Sequence, residues 1–312
     1  MMTNKTVFLA FLFFSSLSSS AQKKLMSVST QNNPDMTMSI LVNSWAFTEY
    51  TAKFSFTSID GFASKALKTP DMAITPVMPG NSELIRFTRV GNVKEPECLF
   101  KYQYFPGKYF SKMPATTFEY LLPAVAGSHL QVTTVSTTVT PMLKSLNTDY
   151  RATAFVLKQN DNICASRAGT VVECIDTIKV GEKSEIIYRK DRNKILVQHR
   201  DGTVGVYAVT APFKLLVKPG DPVIPGQPLA TLNGVSEKYK LYFSVCYLDE
   251  SKLVAATSFD SRAYYSYMPT VFYGSEGERS SLLQPGKDYT VQHPKNIIAA
   301  EMTKEEKKKF GY

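Results

Sequence analysis

Residues 217–245 read VKPGDPVIPGQPLATLNGVSEKYKLYFSV. Two Pro-Gly steps, Pro219-Gly220 and Pro225-Gly226, mark tight turns, because glycine tolerates the positive φ that lets a strand double back. Val217 and Val223 supply core side chains between the turns. The segment then ends in an alternating run. Leu241, Phe243 and Val245 share one face of a strand, and Lys240, Tyr242 and Ser244 share the other. The same grammar runs along the chain. Short runs rich in Val, Ile, Thr, Tyr and Phe alternate with Asp60-Gly61, Pro79-Gly80, Pro106-Gly107 and Asp201-Gly202, and helical periodicity is nearly absent. The sequence therefore predicts an all-β protein.

Within that class the chain divides. Runs such as SELIRFTRV and ECLFKYQYF predict a β-sandwich-like domain over 22–125. The Thr- and Ser-rich stretch QVTTVSTTVTPMLKSLNT (131–148) reads as a linker or long loop, within a lead-in assigned to 126–150. A second domain is placed at 151–275. There ICASRAGTVVECID (163–176) gives two strands broken at Gly169, and KILVQHRDGTVGVYAV (194–209) a hairpin turning at Asp201-Gly202. An extension over 276–312 ends in the charged EMTKEEKKKFGY, read as a short helix or a solvated end.

At the other terminus, Lys5, the apolar run from Val7 to Phe14 and the small residues Ser19-Ser20-Ala21 form a secretory signal peptide over 1–21. The run is too short to span a bilayer, and no later segment is apolar enough to do so. The expected location is outside the cytoplasm: periplasm, cell envelope or extracellular space. A formal net charge of +9 suits an anionic envelope polymer, and an exported chain without a recognition motif is not expected to meet nucleic acid. Four cysteines, Cys98, Cys164, Cys174 and Cys246, allow disulfides in that compartment. Cys164 with Cys174 is the candidate pair, and four buried free thiols is the alternative.

In order, AGTVVECI, ILVQHRDGTVGVYAV, VKPGDPVIPGQPLATLNG and KLYFSV closely resemble the lysostaphin-type (LytM-like, duplicated hybrid motif) zinc endopeptidases. FEYLLPAVAG (118–127) and LLQPGKDYTVQHP (282–294) resemble the lead-in and ending of a subset of exported bacterial members. The G-D-x-V-x-x-G-Q element alone is shared with lipoyl and biotinyl carrier folds, but the exposed hairpin-tip lysine those need is missing. The resemblance implies a small β-barrel (barrel-sandwich hybrid) that cuts peptide cross-bridges in peptidoglycan. It also implies a zinc held by a His, an Asp and the second His of an H-x-H strand, with further histidines handling protons.

This chain departs from that pattern at every such position. Ala154 stands where the Asp precedes Phe155, and no histidine lies between His129 and His199 to serve as its partner. Val209 replaces the His of Tyr-x-His, and Lys240 and Tyr242 replace the H-x-H pair. Alanine and valine have no donor atom, and a lysine ammonium has no lone pair. The expectation is therefore a pseudoenzyme without cofactor, lacking the family's zinc and catalytic residues. Its old groove, lined by Lys240, Tyr242, Tyr207 and His199, would bind peptidoglycan, a muropeptide or an envelope protein partner. The alternative is an active zinc endopeptidase with an unusual ligand set. It would have to draw on His129, His199 and His293, the chain's three histidines.

Overall fold

A computed structural model describes residues 25–115, 118–136, 150–178, 192–234, 236–255, 261–273 and 283–312. The predicted signal peptide and residues 137–149 of the lead-in lie outside them. In chain order the strands are β1 (Met26–Asn32), β2 (Thr37–Ser44), β3 (Tyr50–Asp60), β4 (Phe62–Ala63), β5 (Leu67–Thr69), β6 (Met72–Val77), β7 (Gly80–Arg89), β8 (Glu97–Pro106), β9 (Tyr109–Phe110) and β10 (His129–Ser136). They continue as β11 (Ala152–Leu157), β12 (Asn162–Cys164), β13 (Gly169–Ile175), β14 (Asn193–Gln198), β15 (Val204–Val209), β16 (Phe213–Leu215), β17 (Pro222–Val223), β18 (Pro228–Leu232), β19 (Tyr239–Asp249), β20 (Tyr265–Met268) and β21 (Asp288–Thr290). Short helices α1 (Glu250–Ala255), α2 (Lys295–Ile298) and α3 (Lys304–Phe310) complete the set. The protein is all-β, as the alternation predicts.

The N-terminal strands form two four-stranded sheets, β1-β2-β7-β4 and β5-β6-β3-β8. Ile40, Val42 and Phe87 from the first meet Phe54, Phe56 and Ala73 from the second in one core, which makes a sandwich. In the second half a ten-stranded sheet runs β17-β13-β14-β15-β19-β11-β10-β21, with β20 and β9 added along β19. A three-stranded sheet, β12-β18-β16, contributes Ile163, Phe213, Leu229, Ala230 and Leu232 to the same core as Phe155, Tyr207, Leu241 and Phe243. None of these sheets closes on itself among the described residues, so the barrel the resemblance implies is seen as open layers. Gly220 and Gly226 adopt φ of 98° and 84°, the left-handed turns their Pro-Gly steps foretell.

One expectation changes, and one pair of alternatives is decided. The stretch read as a linker supplies β10, which pairs with β11 on one side and β21 on the other. Its Thr residues are strand formers, and Leu130 and Val132 bury on the core face. For the charged tail, the short helix is the alternative seen. Thr303 and Glu306 form a reciprocal capping box that starts α3, and Gly311 closes it in the left-handed conformation. The two halves are joined through β9, which pairs parallel with the end of β19, and through Gln198, which donates to the Glu49 carbonyl at 3.1 Å.

Candidate functional site

Register decides which predicted groove residues can meet. On β19, Leu241 faces Phe155 of β11 and Val209 of β15, while Tyr242 faces Ala154 and Ala208. Residues directly opposite share a face, and neighbours along a strand do not. Lys240, Tyr242 and Ala154 therefore lie on the outer face of the sheet. Val209 and Tyr207 lie on the core face, fully buried. The predicted groove of Lys240, Tyr242, Tyr207 and His199 does not assemble, because an alternating strand cannot present Tyr207 and Tyr242 to one cleft. Lys240 is exposed, and the Tyr242 ring carries the Arg192 guanidinium at 3.7 Å. The Tyr207 hydroxyl accepts a hydrogen bond from the Ser166 backbone N–H at 2.7 Å, inside the core.

A different set of polar residues gathers at the end of the core face. Arg167, 4% exposed, lies in the short connection between β12 and β13. Its Nε and Nη2 donate to the two carboxylate oxygens of Glu301 at 2.9 and 2.5 Å. Its Nη1 reaches Asp201 at 2.8 Å and the Tyr120 hydroxyl at 3.3 Å. The rings of Phe118 and Tyr120 lie 4.6 and 5.8 Å from the guanidinium carbon. Burial penalises this charge, but the Glu301 hydrogen bond and the Asp201 and Glu301 carboxylates outweigh the penalty and hold it protonated. Asp201 is fixed in its own turn by Thr203, whose N–H and hydroxyl both donate to it. A second arginine, Arg200, donates to the Glu301 carbonyl and the Glu306 carboxylate.

His199 is the one predicted groove residue in this cluster, and it is sealed. Its Nδ1 bonds the Ala168 carbonyl at 2.9 Å, its ring meets Tyr120, and its Nε2 is buried without a hydrogen-bond partner. Gly205 lies against that ring: a Cβ there would stand 2.9 Å from Nε2. Burial, reinforced by the Arg167 charge, pushes the imidazole down from 6.5 to about 4. In the unfolded chain it titrates at its ordinary value, so between these limits the unfolded state holds the extra proton. The His199 contribution to stability is whole above pH 6.5 and is lost as pH falls toward 4, about 3 kcal/mol in all. Asp201, whose carboxyl is held below 3.8, adds its own loss only under more acid conditions. Urea melts from pH 7.5 to 4.5 should show this decline. His199→Gln should flatten it, leaving the smaller slope of His293, which is also lowered by burial.

No family model matches the chain, and no curated protein matches it. The chemistry of the site must be judged on its own residues. A zinc of the kind the resemblance implies does not fit them. Ala154 and Val209 have no donor atom, and Val209 faces away from Ala154, Lys240 and Tyr242. Among the described residues no three His, Cys, Asp or Glu side chains stand close enough together to hold a metal ion. The candidate disulfide is also absent. All four cysteines are free, Cys164 on β12 of the three-stranded sheet and Cys174 on β13 of the large one. Burial pushes both thiols up to about 12, which leaves them poor nucleophiles.

Arg167 and its acidic partners are not visible in the sequence. Glu301 lies 134 residues further on, and an ion pair across that distance leaves no periodic trace. A local signal exists for the tail, since Thr303-Lys-Glu-Glu306 is a capping-box pattern.

Proposed function

We propose that this is an exported, non-catalytic relative of the lysostaphin-type endopeptidases that binds peptidoglycan or a cell-wall hydrolase partner in the cell envelope. The observation that carries the reading is the sheet around β19. Its core face keeps Leu241, Phe243 and Val245 buried, while the positions that would hold metal and move protons are Ala154, Val209, Lys240 and Tyr242. A framework retained beside a chemically silent site favours binding over cleavage. The surface available for it is the part of the outer face at Lys240, which is exposed, with the half-buried Tyr242 ring two residues on, a cationic and an aromatic group for an anionic glycopeptide. Among the described residues no helix is long and apolar enough to cross a membrane.

Sedimentation of the purified protein with isolated cell-wall sacculi tests the reading. Binding should weaken roughly tenfold in the Lys240→Ala/Tyr242→Ala variant, about 1.4 kcal/mol. Unchanged binding in that variant would remove the outer face from the proposal. Cleavage of peptidoglycan that a chelator abolishes would overturn the non-catalytic reading altogether.

A further inference from the structure

We infer that the Arg167 fork is a carboxylate-binding site in which Glu301 sits as an internal ligand, and that a peptide with a free carboxylate takes its place. The inference is independent of the outer face and of any kinship with endopeptidases.

Arg167 is built as a receptor. Its fork is buried, oriented by two aromatic rings, and anchored on one side by Asp201 and the Tyr120 hydroxyl. The other side, Nε and Nη2, presents the two parallel donors that recognise a carboxylate bidentately, and Glu301 fills them. The two anions are held in different ways. Asp201 belongs to the β14–β15 turn and is locked by Thr203. Glu301 belongs to a strap, residues 299–312, in which no side chain is buried. Ile298 is the last buried residue before it, and α3 buries nothing. The strap is therefore held chiefly by polar contacts: Glu301 on Arg167, and Arg200 on the Glu301 carbonyl and the Glu306 carboxylate.

With no buried side chain in the strap, the main cost of lifting it is the Arg167–Glu301 pair itself, and an incoming carboxylate replaces that contact. Once it lifts, Arg167 keeps Asp201 on Nη1, and its Nε and Nη2 edge is left without its acceptors. That arrangement favours another carboxylate over water, because an unmatched buried guanidinium is costly. A peptide C-terminus or an acidic side chain, extended and narrow enough to lie where the strap lay, supplies the missing group. The strap then acts as a competing internal ligand that sets the apparent affinity.

The test is calorimetric titration of the full-length chain with N-acetyl-alanyl-alanine and with its C-terminal amide. Glu301→Gln should bind the acid at least tenfold tighter than the unmodified protein does, and neither protein should bind the amide. Adding Arg167→Lys to Glu301→Gln keeps the charge but removes the fork, and should return the acid to weak binding. Equal affinity of Glu301→Gln for acid and amide, or no gain over the unmodified protein, would reduce the cluster to a structural ion pair and overturn the inference. Circular dichroism of each variant establishes that it is folded before titration. Sacculus binding through Lys240 and Tyr242 is measured separately, so either proposal can fail alone.

Discussion

Arg167→Met should lower stability by about 3–5 kcal/mol, because it strands Asp201 and Glu301 beside each other with no cation in reach of both. For a chain of this size that corresponds to a fall in Tm of about 10 °C, read by thermal melting near neutral pH. The size of the effect follows from burial: a surface pair would contribute a fraction of it. Adding Glu301→Leu to Arg167→Met should recover part of the loss, since one of the stranded anions goes as well. A double-mutant cycle that came out additive would mean that Arg167 and Glu301 are not energetically coupled.

The second large effect lies on β19. Phe243 is fully buried and its ring stands 4.9 Å from Tyr207, 5.7 Å from Tyr120 and 5.7 Å from Phe272. Phe243→Ala should cost about 3–5 kcal/mol, the lost transfer of a phenyl ring plus the void it leaves. Its immediate neighbour gives the contrast. Tyr242→Ala removes the stack on Arg192 and should cost about 1 kcal/mol. Chemical denaturation of both variants checks the pair. Similar losses for the two would contradict the assignment of their side chains to opposite faces.

That contrast is legible in the sequence alone. Alternation in KYKLYFSV places Leu241 and Phe243 inward and Lys240 and Tyr242 outward, and the register across β11, β19 and β15 agrees. The same alternation carries a consequence that family matching leaves out. Tyr207 and Val209 pair with Phe243 and Leu241, so they must point into the core and cannot share a groove with Tyr242. Strand β10 is hidden for a compositional reason: threonines and serines serve both loops and strands, and the stretch 131–148 is poor in large apolar residues. The Arg167 cluster is hidden for a topological one. Its members come from residues 118–120, the β12–β13 connection, the β14–β15 turn and the tail, and only the completed sheet brings these together.

The β10–β21 pairing has a kinetic corollary. His129 and Thr290 are partners across the edge of the large sheet although 161 positions separate them in the chain. Closing so long a loop is entropically slow, and sheets built on distant partners fold later than hairpins such as β14–β15. The N-terminal sandwich closes shorter loops, its widest pairing being Tyr50 with Pro106, and is expected to condense earlier. The large sheet must wait for its last strand, and the strap bearing Glu301 can settle on Arg167 only after that strand is in place. Sequence separation thus places the Arg167–Glu301 pair among the last contacts expected to form.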